Sequence, residues 1–242
     1  MIKELINDIS LGKATLTQAL NRAKVFAHKI NNPELKIWIN LQLEGYDDFE
    51  QENLPSFRNL KCKTYLTHKL PNGSRHDKEV VGGEEYEQYL NRFGYTGSIP
   101  LLEQQLISID GNTLMAALEP IQYQTIAQAD RFGKWVTGGY RQFDRGQLVD
   151  IVEKTKQRLF DTLLELDTQF PEIDDKTMKS KETKKEVQQI VNNHIYGNSS
   201  GLVIGTGSTI IQSDITNTTN TTNTWQELEK LGVENTDAVV LK

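Results

Sequence analysis

A continuous apolar stripe near the middle of the chain constrains its fold more than any other feature. The stripe recurs at alternating spacings of three and four residues, which is the period of an amphipathic helix. Asp144 and Gln147 match an Asp-x-x-Gln capping box before it, and Pro171 follows it. We therefore predict a long helix over residues 145–169, with one face that must be buried. Its apolar positions are Leu148, Ile151, Val152, Thr155, Leu159, Leu163, Leu166 and Phe170.

Shorter helices are predicted at the N-terminus. Within residues 1–44, apolar residues fall at helical spacing. Thr15 and Gln18 match a capping box, and the Asn32-Pro33 pair supplies a helix start. We expect three short helices that form a small bundle or cap a sheet.

A small antiparallel sheet is predicted after the first helices. The alternation in LKCKTYLTHKL (residues 60–70) is typical of a strand, and Asn72-Gly73 predicts a hairpin turn into a return strand. We expect a further helix over residues 114–129 and a short strand around Trp135. The predicted fold class is α+β, with an N-terminal helical bundle, a small antiparallel sheet and the long amphipathic helix. A Gly/Asn/Thr-rich β segment and a short C-terminal helical piece complete it.

Composition and motif searches predict no catalytic, cofactor-binding or metal-binding residues. The net charge of −6 and the pI near 5.4 argue against a general nucleic-acid binder. Cys62 is the one cysteine, and His68 would share its face of the strand. We interpret Cys62 as a half-buried strand residue and not as a nucleophile. The four histidines show no metal-binding spacing.

Residues 187–226 differ in composition from the rest of the chain. Asp214 is their one formally charged residue, and 18 of the 33 residues in 192–224 are Asn, Ser or Thr. GLVIGTGST (201–209) resembles a strand that enters a phosphate-binding glycine turn. A dinucleotide site requires a glycine where Ile210 stands and a helix after it, and a P-loop requires a lysine. Because all three are missing, we predict a strand-turn-strand unit and no nucleotide cofactor.

This segment contains four short apolar β clusters, which are Ile190-Val191, Ile195-Tyr196, Leu202-Val203-Ile204 and Ile210-Ile211. None could bury its own apolar face as an isolated hairpin, and no lysine or proline guards the edges. We predict that the segment associates with other copies as a homo-oligomer, a trimer or larger. The alternative is a disordered, low-complexity linker. The predicted self-association residues are Ile195, Tyr196, Leu202, Val203, Ile204, Ile210 and Ile211.

About the first 175 residues resemble the AbiTii family of bacterial abortive-infection proteins. The resemblance is carried by LTQALNRAKVFAHKINNPELKIWINLQLEGY (16–46), LPSFR (54–58) and GQLVDIVEKTKQRLFDTLLELDTQFPE (146–172). Trp38 and Gly45-Tyr46 match the family pattern, although NLQLEGY departs from it slightly. The resemblance implies a role in phage defence, in which infection leads to growth arrest or death of the host cell. It implies no reaction and no active-site residues.

The predicted organisation has four regions. They are an AbiTii-like domain at 1–171, a polar linker or helical extension at 172–189, a β-rich oligomerisation segment at 190–224 and a short helical C-terminus at 225–242. We predict a non-enzymatic sensor, adaptor or scaffold in phage defence that self-associates through the β segment. The alternative is an effector enzyme, such as a nuclease, whose site is not visible in the sequence.

The expected location is the cytoplasm, because the N-terminus is too polar for a signal peptide and no apolar run reaches about 18 residues. A phage protein or another defence protein is a candidate partner. A membrane is not expected as a partner, and nucleic acid is disfavoured by the charge.

Overall fold

Helices and antiparallel strands both build this chain, which confirms the predicted α+β class. The structure, a computed structural model, describes residues 1–82, 90–108, 110–128, 133–173, 181–196, 203–204 and 210–211. The chain divides into two compact units, Met1–Gly197 and Asn198–Lys242. The predicted helical C-terminus at 225–242 lies outside the described residues.

The chain begins with three helices, and their starts are capped as predicted. The Oγ1 atom of Thr15 accepts a bond from the Gln18 backbone N–H at 3.2 Å, and Gln18 Oε1 accepts from the Thr15 N–H at 3.1 Å. The Asn32 side chain accepts from the Leu35 N–H at 2.8 Å. These bonds satisfy N–H groups that have no partner within the helix. The helices are α1 (Ile2–Ser10), α2 (Leu16–Lys29) and α3 (Pro33–Glu44).

Two antiparallel sheets follow. The strands are β1 (Asn59–Lys61), β2 (Lys63–Lys69), β3 (Arg75–Glu79), β4 (Arg92–Gly94), β5 (Thr113–Ala117) and β6 (Val136–Asp144). The strand β1 pairs with β4, and the main sheet has the order β3-β2-β6-β5. The predicted hairpin between β2 and β3 is confirmed, and Gly73 has the positive φ, 83°, that its turn requires.

The region after α4 (Ile99–Ser108) differs from the prediction. A helix was expected over residues 114–129, but Thr113–Ala117 forms β5 and only Pro120–Gln128 is helical, as α5. The reason is that β5 pairs with β6 along its whole length. This tertiary pairing overrides the helix preference of its leucine, methionine and alanines.

The predicted long helix is confirmed as α6 (Arg145–Gln169), and its buried face lies in the core. Asp144 caps it by accepting a bond from the Gly146 N–H at 2.6 Å. Gln147, however, does not complete the predicted capping box. Its side chain bonds both backbone groups of Lys61, accepting from the N–H at 2.7 Å and donating to the carbonyl at 2.8 Å. The start of α6 is therefore tied to β1.

A carboxylate on α4 caps the start of α2. The two oxygens of Glu103 accept bonds from the Leu16 N–H at 2.8 Å, the Thr17 N–H at 3.2 Å and the Thr17 hydroxyl at 2.6 Å. Backbone N–H groups at a helix start favour a negative charge. Glu103 thus joins two helices that are more than eighty residues apart in the chain.

The last helix of the first unit is α7 (Lys181–Tyr196). Val187, Ile190, Val191 and Ile195 are buried in it and belong to the hydrophobic core. The predicted strands at Ile190-Val191 and Ile195-Tyr196 were therefore wrong. The physical reason is their spacing, which places these residues on one helical face, and this face packs on α6 and α3.

Candidate functional site

The β segment of the second unit contains a short hairpin. Strand β7 (Val203–Ile204) pairs antiparallel with β8 (Ile210–Ile211), in a register that sets Val203 opposite Ile211 and Ile204 opposite Ile210. The predicted strands are thus confirmed at Val203–Ile204 and at Ile210–Ile211, while the predicted turn of GLVIGTGST lies outside the described residues. Leu202, which was also predicted to take part in self-association, lies outside the described residues.

Two predicted self-association residues lie elsewhere. Ile195 and Tyr196 form the end of α7, and only 1% of Ile195 is exposed. Burial raises the pKa of the Tyr196 phenol well above its usual value of 10.0. Both residues therefore belong to the first unit, whereas β7 and β8 belong to the second.

Polar contacts hold α7 to the rest of the first unit. The Nε2 atom of His194 lies 2.6 Å from Glu165 Oε2 on α6, and Gln188 donates to Glu34 Oε1 at 2.7 Å. The Arg158 guanidinium donates to the Ile195 carbonyl, one of the last carbonyl groups of α7. A cation near the C-terminal carbonyl groups of a helix is favourable. These contacts add to the buried apolar face, so the helix that precedes the β segment belongs to the core.

A buried arginine connects three separate segments of the first unit. Arg58 is fully buried, and its guanidinium donates to the carbonyls of Tyr95 at 3.2 Å and Gly97 at 2.8 Å, and to Gln42 Oε1 at 2.9 Å. It also lies over the Tyr46 ring, 4.4 Å from the centroid. Burial lowers the pKa of Arg58 and raises that of Tyr46, while the charge of each opposes the shift of the other.

The contacts of Arg58 indicate a structural role. Its hydrogen-bond partners are neutral oxygens from α3 and from the loop before α4, and the guanidinium has no exposed surface that a ligand could reach. The neighbouring Phe57 ring packs under the Arg158 guanidinium at 4.9 Å, which extends the cluster to α6. Sequence analysis did not find this cluster, because a lone arginine in LPSFR carries no local signal of burial.

Cys62 and His68 were considered as a nucleophile and its base. Both side chains are buried, and Cys62 Sγ lies 3.5 Å from the Leu90 carbonyl while His68 Nδ1 lies 3.2 Å from the Leu66 carbonyl. Burial raises the pKa of the Cys62 thiol to about 11. The thiol is therefore protonated at neutral pH, which is the opposite of what a nucleophilic cysteine requires.

Neither a metal-binding cluster nor a membrane-spanning helix occurs in the described part of the chain. It contains no group of three or more His, Cys, Asp or Glu residues that could hold a metal ion. Within the same residues, no helix combines the length and apolar character of a transmembrane segment.

A family model described as AbiTii matches residues 1–192, which is most of the chain. The chain belongs to the AbiTii family. No curated protein and no solved structure matches it. Membership of the AbiTii family points to abortive infection, a form of defence against phage.

Gly45 and Tyr46, two of the residues that carried the AbiTii resemblance, lie beside the Arg58 cluster. Trp38 is buried, and Gly45 ends α3 with a φ of 104°. The Tyr46 N–H then donates to the Thr96 carbonyl at 2.7 Å, which brings the tyrosine ring under Arg58. The recognisable AbiTii residues therefore maintain the fold. The match also reaches residue 192, within α7, so it includes most of the helix that leads into the β segment.

Proposed function

We propose that this AbiTii protein acts in phage defence as a non-enzymatic sensor, adaptor or scaffold, and that its copies associate through the β7–β8 segment. Family membership supports the defence role. The pairing of β7 with β8 supports the proposed association surface. The segment has β structure, but the two strands contain very few residues, so pairing with other copies would stabilise it.

The observation that carries this proposal is the small size of the hairpin. Each strand has two residues, whereas an isolated two-stranded hairpin in water is marginal even when it is longer. No lysine or proline stands in residues 198–224 to block further pairing at its edges. Backbone pairing with other copies would satisfy these edges and add the apolar contacts that one hairpin lacks.

The packing of the first unit supports an association surface that does not include Ile195 or Tyr196. Because Ile195 is buried in the core and α7 is held by Arg158, the association surface begins after Tyr196. We therefore assign it to Leu202, Val203, Ile204, Ile210 and Ile211. Two observations support the proposal of a non-enzymatic role. The Cys62 thiol is protonated, and the hydrogen-bond partners of Arg58 are neutral oxygens.

Two paired substitutions test the association. Ile204 and Ile210 face each other across the hairpin, so Ile204→Lys with Ile210→Lys sets like charges opposite each other. The matched control is Ile204→Val with Ile210→Val, which keeps β-branched apolar residues. We expect the lysine variant to lose mass in sedimentation at several concentrations, and the valine variant to keep the mass of the native protein.

The same variants address the biological role. In bacteria challenged with phage, we expect the native protein and the valine variant to reduce plaque formation and the lysine variant to lose this protection. A lysine variant with native mass would refute the association. If mass is lost but protection is kept, association is not needed for defence.

A separate assay addresses the enzymatic alternative. Purified protein is incubated with DNA and RNA, with and without Mg²⁺ or Mn²⁺. We expect the nucleic acids to remain intact. Degradation that copurifies with the protein through successive columns would replace the scaffold function with a nuclease effector.

A further inference from the structure

The two edges of the main sheet differ in their chemistry. Every residue of the edge strand β3 (RHDKE) is charged or is histidine, which is a common protection against pairing with other chains. The opposite edge strand, β5 (TLMAA), contains no charged residue. Its central residue, Met115, is 65% exposed. Of the two edges, β5 is therefore the one open to strand addition.

The backbone of β5 has hydrogen-bonding groups directed to this edge. The Leu118 N–H donates to the Gly139 carbonyl at 2.9 Å, and the Arg145 N–H donates to the Asn112 carbonyl at 2.8 Å. These two bonds lie just beyond the two ends of the β5–β6 ladder and continue its register. Bonded and non-bonded pairs alternate along an antiparallel ladder. Leu114 and Ala116 consequently bond to β6, and the other three residues direct their N–H and C=O groups outwards.

These outward residues are Thr113, Met115 and Ala117. Among the described residues, none of their backbone groups has a hydrogen-bond partner. Their side chains lie on one face of the sheet and are exposed, while those of Leu114 and Ala116 are half-buried on the other. The strand thus has three regularly spaced open positions and an apolar residue at the middle one.

We propose that β5 pairs antiparallel with β5 of a second copy of this chain, about a two-fold axis at Met115. Thr113 then lies opposite Ala117 of the second copy, and Met115 lies opposite its own equivalent. With two bonds in each of the three pairs, about six hydrogen bonds join the copies and use all the outward groups of β5. The two main sheets become one continuous sheet.

Self-complementarity identifies the partner as a second copy. The same register places Glu119 opposite Gly111 and Asp110 opposite Pro120, so no like charges face each other at the ends of the strand. The two Met115 side chains meet at the axis, where each covers apolar surface of the other. A corresponding axis on β3 would set Asp77 against Asp77, which is unfavourable.

Cysteine cross-linking tests both the contact and its register in the full chain. At the axis, the Cα atoms of a bonded pair lie about 5.5 Å apart, within the roughly 4.4–6.8 Å range of disulfides. We expect Met115→Cys to form an interchain disulfide under mild oxidation. Ala117→Cys is the matched control, since its equivalents lie about 14 Å apart along the strand. A mixture of Ala117→Cys and Thr113→Cys is expected to cross-link, because those two positions face each other.

The native chain, with Cys62 buried, is the control for background cross-linking. The inference is overturned if Met115→Cys stays uncrosslinked, or if Ala117→Cys alone cross-links as readily. These results do not depend on β7 and β8, so they are distinct from the test of the proposed function.

A proline substitution gives a second measurement. Met115→Pro removes one outward N–H and leaves the bonds between β5 and β6 intact, whereas Met115→Thr keeps the N–H. Both are made in the Ile204→Lys, Ile210→Lys chain and compared by sedimentation equilibrium. We expect the threonine variant to keep the mass of that parent chain and the proline variant to have half of it. Equal masses for the two variants would refute the pairing.

Discussion

Replacing Glu103 by alanine tests how strongly α4 holds the start of α2. The substitution removes three hydrogen bonds, two of them from first-turn N–H groups that have no acceptor within the helix. Glu103 is half-buried, so water regains part of these bonds, and we take about 0.5–1 kcal/mol for each. The carboxylate charge at the helix start contributes about 0.5 kcal/mol more. The expected decrease in the free energy of unfolding is about 2–3.5 kcal/mol.

Urea denaturation followed by circular dichroism and tryptophan fluorescence measures this effect. With a slope of about 2 kcal/mol per M, Glu103→Ala should lower the midpoint by about 1–1.8 M. Glu103→Gln keeps one acceptor oxygen and should cost about 1 kcal/mol. Gln104→Ala, at an exposed position of the same helix, is the control and should change the free energy by less than about 0.5 kcal/mol. If Glu103→Ala behaves like this control, the cap does not stabilise the fold.

Two further predictions concern the first unit. The pKa of Cys62 is raised to about 11, so above the ordinary thiol pKa of about 8.5 the folded chain keeps a proton that the unfolded chain releases. The contribution of this proton to the stability of the fold is at most about 3 kcal/mol. It is fully present below pH 8.5 and is lost as the pH rises towards 11. The difference between the urea midpoints at pH 8 and pH 10.5 should therefore be smaller for Cys62→Ala than for the native chain. Gly45→Ala should lower the free energy of unfolding by roughly 1–3 kcal/mol, because φ is 104° and a Cβ would lie 3.0 Å from the Thr96 carbonyl oxygen. Thermal unfolding checks it, and an unchanged midpoint would contradict the strain.

Features that depend on neighbouring residues could be predicted from the sequence. The caps at Thr15 and Asn32 and the turn at Asn72-Gly73 each involve residues no more than three positions apart. The stripe of α6 could also be found, because a long periodic face has few alternatives. α7 carried the same signal at Val187, Ile190, Val191 and Ile195. The β-branched residues and the polar surroundings led instead to the wrong strand prediction.

Features that depend on distant residues could not be predicted. Leu114 and Met115 favour a helix locally, and only pairing with β6 makes this segment a strand. Gln147 had a plausible local donor in the Asp144 N–H, yet its side chain bonds Lys61, which lies 86 residues earlier. The burial of Arg58 depends on carbonyls that the chain brings together only after α3 and the loop before α4 have packed. Of the candidate association surface, the two strands β7 and β8 could be predicted because their apolar residues lie close together in the sequence.

The difference between the two edges of the main sheet limits what kind of assembly the sheet can support. An element with open edges on both sides propagates without end, as in a fibre. Here charged residues close β3, while the open positions Thr113, Met115 and Ala117 all lie on the β5 edge. Such a sheet is a monovalent connector: once joined, it has no remaining site for growth. Any larger assembly of this protein would then require a second, separate point of attachment on each chain.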